Sequence, residues 1–265
     1  MNPSIRKTKR IVCFLLFSFA LPTAYSASYD TNNTWYAGIG AGYSWNHLDS
    51  STTIANGITP TPSPPFDQDS YSIKSANTKT LQFTAGYRWY FERRFLPYVS
   101  LSGQYRHYFV NQITGDVTLF SLPAFLNYNY QMDFESDTLM LNGKFDLVKI
   151  NRLMPYFSIG LGGAQNYVTD YQETALPDVT ARVSPGFTGK TSTHLAGTLG
   201  VGFDFILTKG WWLTLGYEHV FQGGTISGYG TSTWGTTRLN FGNTKFDTVF
   251  LELSAAIPEA LGDKQ

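Results

Sequence analysis

Strict alternation of apolar and small polar residues across residues 80–109 constrains the fold of this chain more than any other feature. Two alternating runs, TLQFTAGYRWY and PYVSLSGQYRHYF, flank the short charged segment FERRFL. A period of two is the pattern of a β-strand, and two such runs joined by a turn predict a β-hairpin. In each run one face is apolar and uncharged, and the other is small and polar with a single arginine, Arg88 or Arg106. This pattern is expected of strands in a closed membrane barrel.

The composition favours a membrane protein that crosses the bilayer with strands. Only 14% of the 265 residues are charged, whereas 42% are hydrophobic and 16% aromatic. Soluble domains usually have about 25% charged residues. Beyond the first thirty positions there is no uninterrupted apolar run of the roughly 18 residues that indicates a transmembrane helix. We therefore expect one all-β domain.

The N-terminus has the three parts of a secretory signal peptide. Four basic residues, at positions 6, 7, 9 and 10, precede the apolar segment IVCFLLFSFAL, and small residues follow at Ala24 and Ser26. We predict a signal peptide over residues 1–26 and a barrel domain over residues 27–265. Cleavage would remove the single cysteine, Cys13, and four of 19 basic residues but no acidic one, leaving a net charge of −4. A mildly acidic, cysteine-free product is expected to form no disulfide and to bind no nucleic acid.

The alternating pattern recurs through the chain and predicts eight strands. They are Thr34–His47, residues 80–90, residues 97–109, Glu135–Val148, Pro155–Val168, Thr193–Leu207, Trp211–Phe221 and Thr248–Ile257. Four long polar segments, Leu48–Asn77, Asn111–Phe134, Thr169–Ser192 and Gly223–Thr244, are predicted to be surface loops, and they alternate with three short turns. Long loops on one side and short turns on the other are typical of an antiparallel up-and-down transmembrane β-barrel. A short polar tail follows Ile257.

The composition of the polar face indicates which face meets lipid. A soluble barrel such as a lipocalin also alternates, but its polar face is in water. Here the polar face consists mostly of Gly, Ser, Thr, Asn and Gln, which suits the narrow interior of a small barrel. Tryptophan and tyrosine recur near both ends of the apolar faces, as aromatic girdles at the membrane interfaces do. We therefore place the apolar face against lipid and the polar face inside.

The polar face also includes a small set of charged residues, which are predicted to form a nearly neutral interior network. Buried charges persist only when they are paired, because desolvating a lone ion costs several kcal/mol. The members are Arg88, Arg106, Lys144, Asp146, Asp204, Glu218 and Glu252. Counting along the strands places Arg106 and Glu218 nearer the outside, on opposite walls, and the other five nearer the periplasm. The network either fills an interior too narrow for water or forms an ion-pair gate for a small pore.

Together, the signal peptide, the eight alternating strands, the long outer loops and the inward charges resemble small eight-stranded outer-membrane proteins. These proteins include the OmpA transmembrane domain and the OmpX-like surface proteins of Gram-negative bacteria. The resemblance implies a monomer in the outer membrane, in contact with lipid and lipopolysaccharide, whose loops meet a host or surface ligand. It has no diagnostic short motif, and here the last strand ends in Ala256-Ile257 rather than in the aromatic residue usual for the family.

No catalytic set is evident in the sequence. Lipid A deacylases of similar size use a His-x-Ser pair, but the four histidines here are followed at +2 by Asp49, Phe109, Ala196 and Phe221. His107 and His219 are expected to face lipid near the outer interface, and the loop carboxylates are too scattered for a calcium motif. We therefore expect no enzyme activity, cofactor or metal, and a structural role with loop display. The alternatives are a small-solute pore, a transporter of apolar ligands and, less favoured, a lipid A-modifying enzyme.

Overall fold

The computed structural model describes residues 33–58 and 60–257. The predicted signal peptide over residues 1–26 and the polar tail after Ile257 lie outside the described residues. Among the residues that are described, no helix has the length and apolar character to cross a membrane.

Eight strands of the described chain form a closed antiparallel ring. They are β1 (Thr34–His47), β5 (Thr78–Tyr90), β6 (Phe95–Thr118), β7 (Leu126–Val148), β8 (Leu153–Ala175), β9 (Lys190–Thr208), β10 (Trp211–Ile226) and β11 (Asn240–Ile257). Each pairs with the next strand of the ring, and β1 closes it by pairing with both β5 and β11, for example Ile39 with Phe83 and with Leu253. The predicted eight-stranded up-and-down barrel is confirmed.

The orientation of the strands follows the prediction. Leu101, Leu199 and Leu251 point outward with 45%, 52% and 49% of their surface exposed. By contrast, Arg88 and Arg106 point inward and are 1% exposed. The apolar face is therefore outside and the polar face lines the lumen.

The two ends of the barrel differ. At the turn end, the chain connects β5 to β6, β7 to β8 and β9 to β10 through residues 91–94, 149–152 and 209–210. At the loop end, a long segment between β1 and β5 contains the short strands β2 (Ser51–Ala55), β3 (Gln68–Ser72) and β4 (Lys74–Ser75). β3 pairs with β2 and with the end of β6, where Tyr71 lies opposite Val117. The first predicted loop is thus partly sheet.

The predicted bounds of the other three long surface loops are wrong as well, because much of each segment is strand. β6 continues to Thr118 and β7 begins at Leu126, so the hairpin is joined only by two 3-10 turns, Leu119–Ser121 and Pro123–Phe125. β8 continues to Ala175 and β9 begins at Lys190, while β10 continues to Ile226 and β11 begins at Asn240. We call the strand ends beyond the lipid-facing belt, together with residues 48–77, 119–125, 176–189 and 227–239, the extension.

Inside the extension, the polarity of the strands is reversed. Over residues 113–117 of β6 and residues 128–134 of β7, the large inward side chains are apolar and buried, namely Ile113, Val117, Tyr128, Tyr130, Met132 and Phe134. The outward positions are polar, namely Gln112, Thr114, Asp116, Gln131, Asp133 and Glu135. With Phe187, Trp234 and Leu239 from the other connections and Phe241 from β11, the inward set forms a hydrophobic cluster, the upper core. Polar outer faces resemble loop sequence, and this explains why the extension was mistaken for irregular loops.

Candidate functional site

Four of the predicted network residues meet near the turn end of the lumen. Arg88 Nη2 donates to Asp204 Oδ2 at 2.7 Å, and Lys144 Nζ donates to the same oxygen at 2.6 Å. Thr214 donates to the other oxygen, Oδ1, at 2.6 Å. Asp146 is buried with Arg88 Nη2 4.0 Å from its carboxylate. Arg88, Lys144, Asp146 and Asp204 therefore make up one cluster, which we call the lower group.

Aromatic rings close around the guanidinium of the lower group. Arg88 Cζ lies 4.7 Å from the Trp212 ring centroid, 5.4 Å from that of Tyr98 and 5.5 Å from that of Tyr36. Trp212, Tyr98, Tyr36 and Met154 form a buried cluster at this end of the barrel. The rings stabilise the cation by contact with their faces and take up the space beside it.

The other three network residues form an upper group. Arg106 Nη2 donates to Glu218 Oε2 at 2.6 Å and to Gln82 Oε1 at 2.6 Å. The Gln82 amide in turn donates to Glu252 Oε2 at 2.7 Å, and Thr84 donates to the same oxygen at 2.7 Å. Glu252 thus joins Arg106 through Gln82, although on β11 it lies opposite Thr214, the residue that donates to Asp204 in the lower group. Strands in a barrel are staggered, so counting from strand ends misjudges which residues meet across the wall.

Both groups contain an ion pair that crosses the whole lumen. Arg88 is on β5 and Asp204 on β9, while Arg106 is on β6 and Glu218 on β10. In the ring, each of these strands is the fourth from its partner in either direction, so each pair joins opposite walls. Lys144, Glu218 and Glu252 line a cavity of about 30 Å³ between the groups. That volume has room for about two water molecules.

In the extension, one arginine joins several of the outer segments. Arg182, in the connection from β8 to β9, donates to Asp69 at 2.7 Å and to Glu173 at 2.9 Å. Its guanidinium also lies 5.5 Å from the Trp234 ring centroid, in the connection from β10 to β11. Burial raises the pKa of the Tyr71 phenol, so this hydroxyl stays neutral and accepts from Arg182 Nη2 at 3.1 Å. Arg182 therefore fixes three connections against one another.

Two polar clusters lie on the outer wall, where the apolar face ends. Each contains the tyrosine and the histidine of a Tyr-x-His-x-Phe sequence, which occurs at residues 105–109 on β6 and at residues 217–221 on β10. In the first, the Tyr105 hydroxyl and His107 Nδ1 both contact Asp137 Oδ1, at 2.6 and 2.9 Å. We call this the β6 cluster. The second residue of its motif, Arg106, points into the lumen.

The second cluster, the β10 cluster, repeats this arrangement. The Tyr217 hydroxyl and His219 Nδ1 contact Asp247 Oδ1 at 2.5 and 2.6 Å. Here the second carboxylate oxygen, Oδ2, contacts His47 Nε2 at 2.7 Å. Sequence reasoning placed both histidines outward but missed the aspartates, which come from neighbouring strands. The repeated Tyr-x-His-x-Phe motif was the available signal. The same motif on two strands indicates that both histidines lie in the same kind of environment.

Comparison with known proteins identifies the family of this barrel. Residues 11–254 match the model of the outer membrane protein beta-barrel domain. The chain belongs to this outer membrane β-barrel family. The protein is therefore located in the outer membrane, and its lipid-facing belt is the apolar outer face described above. In such barrels the short turns face the periplasm and the longer connections face outward, which places the extension outside the cell.

Solved structures of small outer-membrane barrels are similar to this chain at low sequence identity. The Neisserial surface protein A shares 10% identity, with 85% of this chain and 99% of that chain covered and a TM-score of 0.45. AlkL shares 15% identity, with 91% and 98% covered and a TM-score of 0.46. OprG from Pseudomonas aeruginosa shares 16% identity, with 86% and 99% covered and a TM-score of 0.44. A comparison with curated proteins finds no match.

Proposed function

We propose that this protein is a surface-display barrel. Its membrane-embedded part conducts no solute and holds the folded extension outside the cell. Its partner would be a host or surface ligand that contacts the extension. The proposal rests on two ion pairs that join opposite walls of the lumen at two levels. The nitrogen–oxygen distance is 2.7 Å between Arg88 and Asp204 and 2.6 Å between Arg106 and Glu218. A pore needs a continuous water path, and these contacts cross it.

The upper core supports the same conclusion from the other end of the lumen. Tyr108 and Phe246 stack with their ring centroids 4.2 Å apart, and Phe134 lies 6.2 Å from Phe246. All three side chains are almost completely buried. A transporter of solutes or of apolar ligands would have to open this packing, whereas a display protein gains from it because packed strands hold the outer surface in one shape.

The outermost part of the extension offers a contact surface. The hairpin tip at residues 119–126, LFSLPAFL, carries no charge. Phe125 and Leu126 are 41% and 46% exposed, and Phe66 from the neighbouring connection is 46% exposed. The ring of Phe120 lies edge-on to both Phe66 and Phe125, at 5.7 and 5.6 Å. Contiguous exposed apolar surface of this kind marks interaction sites.

A conductance measurement tests the first half of the proposal. The refolded barrel in a planar bilayer is expected to give no steady single-channel current. A steady current in the wild-type protein, altered by Glu218→Gln, would instead establish the gated pore.

Binding of displaying cells tests the second half. Cells that display the wild-type barrel are expected to bind host-cell layers or matrix proteins. A variant with Phe66→Ser, Phe120→Ser and Phe125→Ser should lose most of that binding. The matched control is Phe95→Ser, because Phe95 is 70% exposed at the opposite, periplasmic end. Binding that is equal in the display strain and in a strain without the protein would contradict the display role.

A further inference from the structure

The β6 cluster holds a combination of side chains that the β10 cluster lacks. His107 Nε2 lies 3.9 Å from Glu135 Oε1, and the ligand atoms of His107, Glu135 and Asp137 all lie within 4.8 Å of one another. All three side chains are partly exposed on the outer wall. An imidazole nitrogen facing a carboxylate oxygen on an accessible surface is a common pair of metal ligands.

Asp137 determines which nitrogen of His107 is available. An ionised carboxylate only accepts hydrogen bonds, so the 2.9 Å contact between Asp137 Oδ1 and His107 Nδ1 requires the proton to be on Nδ1. In the neutral ring, the lone pair is then on Nε2, the nitrogen nearer Glu135. The Tyr105 hydroxyl donates to the same carboxylate oxygen and holds it in place. A carboxylate behind a histidine in this way orients the ring and raises its basicity as a ligand in metal sites.

The space in front of Glu135 is open and lined by further oxygen atoms. A cavity of about 300 Å³ is lined by Asp133, Glu135, Tyr167, Thr169 and Asp170. Asp133 and Glu135 project from the same outward face of β7. A metal ion held by His107 and Glu135 could complete its coordination with water or with these groups.

We propose that His107 and Glu135 bind a divalent transition-metal ion of the Zn²⁺ type on the outer wall of the barrel, with Asp137 as the positioning residue. Zn²⁺ binds nitrogen and oxygen at roughly 2.0–2.2 Å. The 3.9 Å between Nε2 and Oε1 lies within the sum of two such bonds, so one ion contacts both after a small rotation. Imidazole as a ligand favours Zn²⁺, Cu²⁺ or Ni²⁺ over Ca²⁺ and Mg²⁺.

The β10 cluster provides an internal comparison. Asp137 and Asp247 are equivalent, but two residues before Asp137 is Glu135, whereas two residues before Asp247 is Lys245. Moreover, Asp247 has an imidazole on each of its oxygens, those of His219 and His47. The β10 cluster therefore has a cation where the β6 cluster has its carboxylate ligand, and we assign no metal to it.

The test is titration of the full-length barrel, refolded in detergent, with ZnCl₂ by isothermal calorimetry. The wild-type protein is expected to bind one equivalent, and the control His219→Ala should bind with the same affinity. His107→Ala and Glu135→Gln should each weaken binding by at least about tenfold, and Asp137→Asn by roughly 10- to 100-fold. Each variant is first checked for the gel-mobility change on heating that a folded barrel gives, and Glu135→Gln keeps the side-chain shape if His107→Ala fails to fold.

Four results would overturn the proposal. The first is a wild-type barrel that binds no Zn²⁺ at millimolar concentration. The second is binding that Glu135→Gln leaves unchanged, and the third is binding lost equally in His219→Ala. A preference for Ca²⁺ over Zn²⁺ would also contradict a site that includes an imidazole.

Discussion

The membrane-embedded barrel and the extension are built from the same strands with opposite polarity. On β7, Leu141 and Leu139 point outward into lipid, while Asn142 points into the lumen. Nearer the start of the same strand, in the extension, Gln131 and Asp133 point outward and Met132 is fully buried inside. Alternation thus gives a strand two faces. The outward face is apolar where it contacts lipid and polar where it contacts water. The change occurs at the β6 and β10 clusters, where lipid gives way to water.

The largest expected effect comes from breaking an ion pair in the interior of the membrane-embedded part. Arg106→Ala should lower the free energy of unfolding by about 3–5 kcal/mol, because it leaves Glu218 buried without its cation. Urea unfolding in detergent, followed by tryptophan fluorescence, measures the change. The double variant Arg106→Met/Glu218→Leu should recover most of the loss, since apolar side chains of similar volume replace buried pairs at little cost. A loss in the double variant as large as in the single one would show that the charges themselves hold the barrel closed.

The same substitution on the outer face of both regions tests the reversal directly. Leu141→Arg places a charge against lipid and should cost about 2–4 kcal/mol. Gln131→Arg, on the same strand and the same face but in the extension, should change stability by less than about 0.5 kcal/mol. Unfolding in lipid vesicles measures both. Equal costs at the two positions would mean that the lipid boundary lies elsewhere on β7.

The smallest expected effect on the unfolding of the whole barrel comes from changing the connections. Arg182→Ala removes hydrogen bonds to charged groups at Asp69 and Glu173, and each buried group left without a partner costs about 1–3 kcal/mol. Because the loss is confined to the extension, limited proteolysis in residues 48–77 and 176–189 should accelerate while the barrel remains folded on gels. Arg182→Lys should recover only part of the protection, since an ammonium cannot reproduce the guanidinium geometry. Unchanged cleavage would show that the upper core alone fixes these segments.

The architecture could be predicted from the sequence because alternation is a local property. The limits of β1 were predicted as Thr34–His47 and are observed there, since both faces of that strand keep one composition along its whole length. The inward direction of the seven charged residues followed from the same argument. The extension was not predictable in this way. Its strands keep the period of two, but their polarity is reversed, and apolar residues such as Ile113 and Val117 take the inward positions that are polar in the membrane-embedded part.

Contacts between strands were predicted less well because they depend on register. The hydrogen bonds of Glu252 to Gln82 and Thr84 could not be predicted, since they depend on the stagger between β11 and β5, which are separated by β1. Asp137 and Asp247 were missed for the same reason, because His107 lies opposite Asp137 and His219 opposite Asp247 only once the register is known. When the residues of a site come from neighbouring strands, the number of residues between them in the sequence does not show that they are in contact.

The two ion pairs that join opposite walls have a mechanical consequence. They run along two different diameters of the cylinder, from β5 to β9 and from β6 to β10. Flattening the cross-section would compress some diameters and stretch others, and a short charged contact resists both. The membrane-embedded part should therefore keep a nearly circular section under lateral pressure from the bilayer, and the strands that continue into the extension start from a rigid base.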